Sequence, residues 1–192
     1  MKTKADEFLK IVDEIYGFYL DCTFGFSSLL SNLSKVEKKV RSQGDVLLDD
    51  LSFYYGKGHP NEKNSSIFHM CSQGELKERN RDNGKNYRLA ANYLIVLIYQ
   101  YWEDYYREKI ADEIGLGSKN DLVVPIMGDL RILRCSIIHN RGKAIKEVKN
   151  CEILRWFEKG DEIMIDKNRV EEILICIHLS MVDIIKKIGV VY

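Results

Sequence analysis

The sequence predicts an all-α domain: a four-helix bundle with an inserted long loop and a small C-terminal β-hairpin. Three observations lead to this prediction. Apolar residues recur every three or four positions over four segments, as in helices that bury one face. Residues 54–86 break this spacing with glycine, proline and asparagine. A tight turn at residues 160–162 separates two short apolar runs. Four helices around one core are the simplest arrangement, so residues 1–192 are assigned to a single domain.

The first predicted helix covers residues 4–41. Its apolar stripe continues across Gly17 and Gly25, either of which could bend or split it. A turn at residues 43–45 ends it. The stripe consists of Phe8, Ile11, Val12, Ile15, Phe18, Tyr19, Cys22, Phe26, Leu29, Leu30, Leu33, Val36 and Val40.

Residues 54–86 are predicted to form the irregular inserted loop. A loop of this length in a compact domain is usually functional or mobile. Residues 75–88, at its end, carry more basic than acidic side chains and several asparagines. This composition is compatible with contact to single-stranded RNA, although charged loops are usually only a solvated surface.

Three more helices complete the predicted bundle. The second covers residues 87–114 and is the central core helix, because its first half is apolar on nearly every face. The third covers residues 121–138. The small hairpin follows at residues 156–165, and an amphipathic helix over residues 170–188 closes the chain.

Composition restricts the function classes. Basic and acidic residues both number 29, so a nucleic-acid site must be a local basic cluster rather than a property of the whole surface. The five cysteines are odd in number and include no CxxC pair, which is typical of free thiols in a reducing compartment. The charged residues 1–7 do not resemble a secretory signal, and no apolar run reaches the roughly 20 residues of a membrane span. We therefore expect a soluble cytoplasmic protein without membrane attachment.

The most informative segment is residues 133–142, where an apolar helical run meets a glycine. Arg134 offers a permanent cation with a planar fork of donors that fits phosphate, and His139 can exchange a proton near neutral pH. Together they could cleave RNA without a metal. Five residues of ideal helix leave two side chains about 140° apart, so the pair converges only if His139 lies at the helix end. Gly142 is placed to provide that end.

These residues resemble the motif of the HEPN superfamily: small all-α domains, many of them ribonucleases, defined by an arginine, four to six residues and a histidine. Arg134 and His139 match the motif and are followed by Asn140, Arg141 and Gly142, as in many relatives. The aromatic and acidic segment 101–107 also resembles a helix of several HEPN branches. The resemblance is best over residues 87–142.

The resemblance implies an activity and partners. It implies a homodimer in which two motifs face each other and cleave RNA without metal, leaving a cyclic phosphate and a 5′-hydroxyl. It also implies a role in a toxin–antitoxin or phage-defence system, with an antitoxin or other regulatory partner. Arg134 and His139 are the predicted catalytic residues. The predicted substrate-positioning residues are Asn140, Arg141, Arg131 and Glu103.

Several alternatives remain open at this point. Asn140 could orient His139 or cap the helix, and Glu103 could act at the site or pair with Arg107 on its own helix. Cys135 stands where many family nucleases have a polar residue. It favours the main alternative, a non-catalytic HEPN-like module that binds RNA, a nucleotide or a protein. A purely structural dimerisation domain is a third interpretation. No metal is expected, because structural zinc sites need four ligands in paired spacing, which this sequence lacks. No other cofactor is expected either.

Overall fold

The computed structural model describes residues 3–41 and 48–190; the turn predicted at residues 43–45 lies outside them. The described chain is mostly helical with one small antiparallel sheet, so the all-α prediction is confirmed only as a mostly-α fold. It forms two compact units. One consists of the chain up to Leu20 and from Arg88 onward, and the other is Asp21–Tyr87. Within the described residues, no helix is long and apolar enough to cross a lipid bilayer.

Helix α1 spans Lys4–Arg41, as the apolar stripe predicts, and neither Gly17 nor Gly25 interrupts it. Its first turn is closed by a reciprocal cap. The Asp6 backbone N–H donates to the Thr3 hydroxyl, and the Asp6 carboxylate accepts from the Thr3 backbone N–H at 2.9 Å. Such caps satisfy N–H groups that have no partner within the helix.

The predicted second helix is one helical run with a local change of winding. Helix α3 (Lys85–Tyr101) passes into a π-helical turn (Trp102–Tyr106) and then into helix α4 (Arg107–Glu113). In the first unit this run is packed in the main core, where Trp102 is only 2% exposed. Large buried side chains of this core include Phe8, Leu94, Ile95, Ile98, Ile110, Ile126, Leu130, Leu133, Leu154 and Ile173.

The second unit contains regular structure where the sequence predicts an irregular loop over residues 54–86. Strands β1 (Ser52–Lys57) and β2 (Ser66–Ser72) pair antiparallel, and helix α2 (Gln73–Asn80) follows. The glycine, proline and asparagine residues fall mainly in the connections. Gly56 lies at a β-bulge, where a Cβ atom would collide with the carbonyl oxygen of Ser66. A second small core is formed by Leu33, Cys71 and Leu76.

Helix α5 spans Pro125–His139 and helix α6 spans Lys167–Val190. Helix α5 corresponds to the third predicted helix. It begins four residues after the predicted start at residue 121, because proline is favoured at the first helical position. A short 3₁₀ turn, Lys119–Asp121, precedes it. A second one, Lys146–Asn150, follows α5.

The predicted hairpin at residues 156–165 does not form two paired strands. Residues 161–163 instead bond with residues 142–144: the Ala144 N–H donates to the Asp161 carbonyl, and the Ile163 N–H to the Gly142 carbonyl, both at 2.7 Å. The guanidinium of Arg169 on α6 lies 5.1 Å and 4.9 Å from the ring centres of Trp156 and Phe157. Cation–π contact with α6 therefore replaces cross-strand pairing for these two aromatic residues.

Candidate active site

Arg134 and His139 converge at the C-terminal end of α5. Nη1 of half-buried Arg134 lies 3.2 Å from Nε2 of exposed His139. His139 is the last residue of the helix, where the 140° separation of an ideal helix no longer applies. A guanidinium only donates hydrogen bonds, so Nε2 must be the acceptor. The contact therefore requires a neutral imidazole with its proton on Nδ1 and a lone pair on Nε2.

Two left-handed residues end the helix beside this pair. Arg141 has φ 54° and Gly142 has φ 78°. The Gly142 N–H donates to the carbonyl groups of Ser136 at 3.0 Å and Ile137 at 3.2 Å, which satisfies acceptors that the helix leaves open. Gly142 thus contributes to the end as the sequence predicts, but the turn to the left-handed region starts one residue earlier, at Arg141.

Asn140 is the C-cap residue, and its backbone N–H donates to the Ser136 carbonyl. Its side-chain amide donates to the carbonyl of Lys143 at 2.8 Å, in the turn beyond the helix. Of its two suggested roles, its position corresponds to the cap. Arg131 and Arg141 are both exposed, and within the described residues neither side chain takes part in a hydrogen bond or ion pair. Their guanidinium groups are available to a ligand.

Glu103 lies in the π-helical turn and has partners of its own. Its carboxylate accepts from Arg107 Nη1 and from Lys119 Nζ, each at 3.0 Å. Burial alone raises the pKa of Glu103, but the hydrogen bonds from Lys119 and Arg107 outweigh burial and lower the pKa below its ordinary value. Glu103 is therefore an ionised member of a three-residue ion cluster. Among the described residues, no hydrogen bond or ion pair joins it to Arg134 or His139.

Two buried polar residues of α5 were not among the predicted site residues. Asp129, 2% exposed, accepts the backbone N–H groups of residues 152, 153 and 154 at 2.9, 2.8 and 2.7 Å. Ser136, fully buried, donates to the Ile132 carbonyl at 3.0 Å and accepts the Ile145 N–H at 3.2 Å. Both attach the following chain to the motif helix. A charged residue within an apolar stripe is the signal for such a role, since a buried carboxylate needs partners.

A cavity of about 620 Å³ lies in the first unit beside the middle of α5. Its lining includes Tyr99, Glu103, Arg131, Cys135, Asn150 and Glu152, but none of Arg134, His139, Asn140 and Arg141. The predicted site residues therefore divide into two groups. Glu103 and Arg131 lie at the cavity, and the other four lie at the helix end. Cys135, which departs from many family nucleases, is also part of the cavity wall.

The five cysteines are free thiols, and Cys151 is the most strongly perturbed of them. Burial, with a further contribution from neighbouring Asp129, raises the pKa of Cys151 to about 11. About one molecule in a thousand then carries a thiolate there at pH 8. We expect iodoacetamide at pH 8 to leave Cys151 unlabelled in the folded protein and to label it in urea, with half-buried Cys135 as the internal reference. Equal labelling of both in the native protein, measured by peptide mass spectrometry, would contradict this burial.

Comparisons with protein-family models, curated proteins and solved structures give no match to this chain. The HEPN assignment therefore stays a prediction from the motif residues.

Proposed function

We propose that this protein is a metal-independent endoribonuclease with a HEPN-like helical bundle, active as a homodimer. The observation that carries the proposal is the 3.2 Å contact between Arg134 Nη1 and His139 Nε2 at an exposed helix end. It joins a phosphate-binding fork to a neutral imidazole, whose Nε2 lone pair can act as a general base once Arg134 turns to the phosphate.

The chemistry follows from these two groups. Nε2 of His139 takes the proton of an RNA 2′-hydroxyl, and the 2′-oxygen attacks the adjacent phosphorus. The bond from phosphorus to the 5′-oxygen then breaks, which leaves a 2′,3′-cyclic phosphate and a 5′-hydroxyl after that oxygen is protonated. Arg134 turns its donors from the imidazole to the phosphate oxygens, where negative charge develops. Its Nε is buried with no hydrogen-bond partner among the described residues, and a bidentate phosphate would supply one.

The need for two proton-transfer groups supports a dimer. A single chain offers one histidine at the motif, whereas the reaction needs a base for the 2′-hydroxyl and an acid for the 5′-oxygen. A second copy of the motif supplies the acid as a protonated His139. Ile138, which directly precedes His139, is 50% exposed and provides apolar surface for such a contact.

Local charge supports RNA as the substrate, although the whole chain is neutral. Residues 130–146 include five basic residues and no acidic one. These are Arg131, Arg134, Arg141, Lys143 and Lys146. A cluster of this kind attracts a phosphate backbone and makes binding weaken with salt.

The alternative is a non-catalytic module that binds RNA, a nucleotide or a protein partner. The cavity favours it, because Cys135 and Arg131 face a concave site rather than the Arg134–His139 pair. A cytoplasmic role as a toxin or phage-defence factor, held in check by an antitoxin or regulatory partner, is part of the main proposal. It depends on the resemblance alone.

The direct test is to incubate the purified protein with mixed RNA in EDTA and to identify the product ends. We expect cleavage to continue without divalent metal and to yield cyclic-phosphate and 5′-hydroxyl ends. Cleavage that stops in EDTA and returns with magnesium would contradict the proposed chemistry. RNA binding without cleavage would favour the non-catalytic module.

A further inference from the structure

We propose that the cavity beside α5 binds one nucleobase of the RNA, and that it selects cytosine or adenine, which carry an amino group where uracil carries a carbonyl oxygen, over uracil. This inference rests on the proposed function, since it assigns part of that substrate to a site next to the cleavage motif. It adds a specificity determinant that Arg134 and His139 do not provide.

Cavity residues and motif residues occupy neighbouring positions along α5. Cavity residues Arg131 and Cys135 precede Arg134 and His139 by three and four residues. Side chains at these separations are neighbours on a helix surface, one turn or about 5.4 Å apart along the axis. That is of the order of one nucleotide step. A strand whose scissile phosphate lies at Arg134 therefore brings an adjacent nucleotide to Arg131 and the cavity mouth.

The size and the walls of the cavity suit a nucleobase. Its volume of about 620 Å³ lies within the roughly 300–1,000 Å³ typical of small-molecule sites. Apolar and aromatic side chains form part of its lining. Among them are Val123, Ile132 and Tyr99, which is held in place with 8% of its surface exposed. Flat bases that leave a single strand are commonly held against such surfaces.

The charge of the cavity lining suits a neutral base better than a phosphate. The lining includes four carboxylates, from Glu103, Asp129, Glu147 and Glu152, against two guanidiniums, from Arg107 and Arg131. A phosphate is disfavoured inside this net negative lining, whereas the basic segment 130–146 favours the backbone outside. The neutral base is therefore the part of a nucleotide that suits the cavity.

The hydrogen-bond acceptors of the lining that have no partner favour a base with an amino group. The carboxylates of Asp129 and Glu103 are already engaged, by backbone N–H groups and by cations. The side chains of Asn150 and Glu152 have no hydrogen bond or ion pair within the described part of the chain. Carboxylates accept from the amino group of cytosine, and asparagine pairs with adenine. Uracil presents a carbonyl oxygen at the corresponding position, which a carboxylate does not bind.

Gly128 provides the test. It lies inside α5 and lines the cavity, and a Cβ atom there would have nothing within 4 Å. A phenylalanine at this position therefore meets no packed atom at its Cβ and adds a bulky ring to the cavity lining. Gly128→Ala is the matched control, because it makes the same backbone change and leaves the cavity open.

The experiment measures fluorescence anisotropy with 2′-O-methyl hexamers of cytidine, adenosine and uridine, which bind but cannot be cleaved. For the wild type and Gly128→Ala we expect binding about tenfold tighter for the cytidine or adenosine hexamer than for the uridine hexamer. Gly128→Phe should reduce this preference to less than about twofold, and Glu152→Ala should weaken it while the control Glu158→Ala should not.

The outcomes separate this inference from the proposed function. Equal binding of all three hexamers by a wild type that cleaves RNA would overturn the base site and leave the ribonuclease intact. A preference that survives in Gly128→Phe, or no binding of any hexamer, would also overturn the base site. A preference that Gly128→Phe abolishes, in a protein that cleaves no RNA, would support the base site and contradict the ribonuclease.

Discussion

Replacing His139 with alanine is expected to lower the rate of RNA cleavage by about 10²–10⁴-fold, the usual contribution of a general acid or base. The reason is that Nε2 of His139 is the proton acceptor that Arg134 Nη1 holds at 3.2 Å. Arg134→Ala is expected to cost about 10²–10³-fold, because a donor aimed at the developing phosphate charge is lost. Arg134→Lys should restore little, since an ammonium lacks the planar fork.

The measurement is the initial rate on a fluorescent RNA in EDTA, with circular dichroism to show that each variant is folded. His178→Ala is the matched control, because His178 is also exposed but lies on α6. Its rate should equal that of the wild type. An unchanged rate for folded His139→Ala would remove His139 from the reaction and with it the proposed mechanism.

Asp129→Asn is expected to lower the free energy of unfolding by about 3 kcal/mol or more. The buried carboxylate accepts three backbone N–H groups at 2.7–2.9 Å, and an amide can accept through only one of its two terminal atoms. At least one buried donor then loses its partner, in addition to the loss of charge-assisted hydrogen bonds.

Urea unfolding followed by circular dichroism tests this expectation, with Asp161→Asn as the control. Asp161 also accepts a backbone N–H, from Glu158 at 2.8 Å, but it is exposed, so its replacement should cost less than about 1 kcal/mol. Equal losses for the two variants would show that the three bonds to Asp129 contribute no special stability.

The apolar spacing predicts the long helices well, because each buries a continuous stripe. Helix α1 has the predicted bounds, and α5 differs mainly where Pro125 fixes its start. Spacing does not reveal the π-helical turn at residues 102–106, since one wide turn barely changes the pattern. It also misses the strands of the second unit. Their short aromatic run lies among glycine and asparagine residues, which indicate turns whether or not strands flank them.

The candidate site was predictable in its local part. The arginine–histidine spacing allows the pair to converge only if His139 lies at a helix end, the glycine beyond it permits that end, and His139 is the last residue of α5. The partners of Asp129 and Ser136 beyond the helix were not predictable, because they are 9 to 25 residues away and depend on the path of the chain after the helix. The pairing of Glu103 with Lys119 was not predictable for the same reason, since the two residues are 16 positions apart.

The attachment of the chain to α5 has a consequence for how the motif forms during folding. The bonds to Asp129 and Ser136 close loops of 9 to 25 residues, and the bond from Ile163 to Gly142 closes another of similar length. Loop closure of this length has a small entropic cost, and contacts between residues close in sequence favour rapid folding. We therefore expect the contacts within residues 125–163 that hold the motif helix to form before its contacts with residues near the start of the chain.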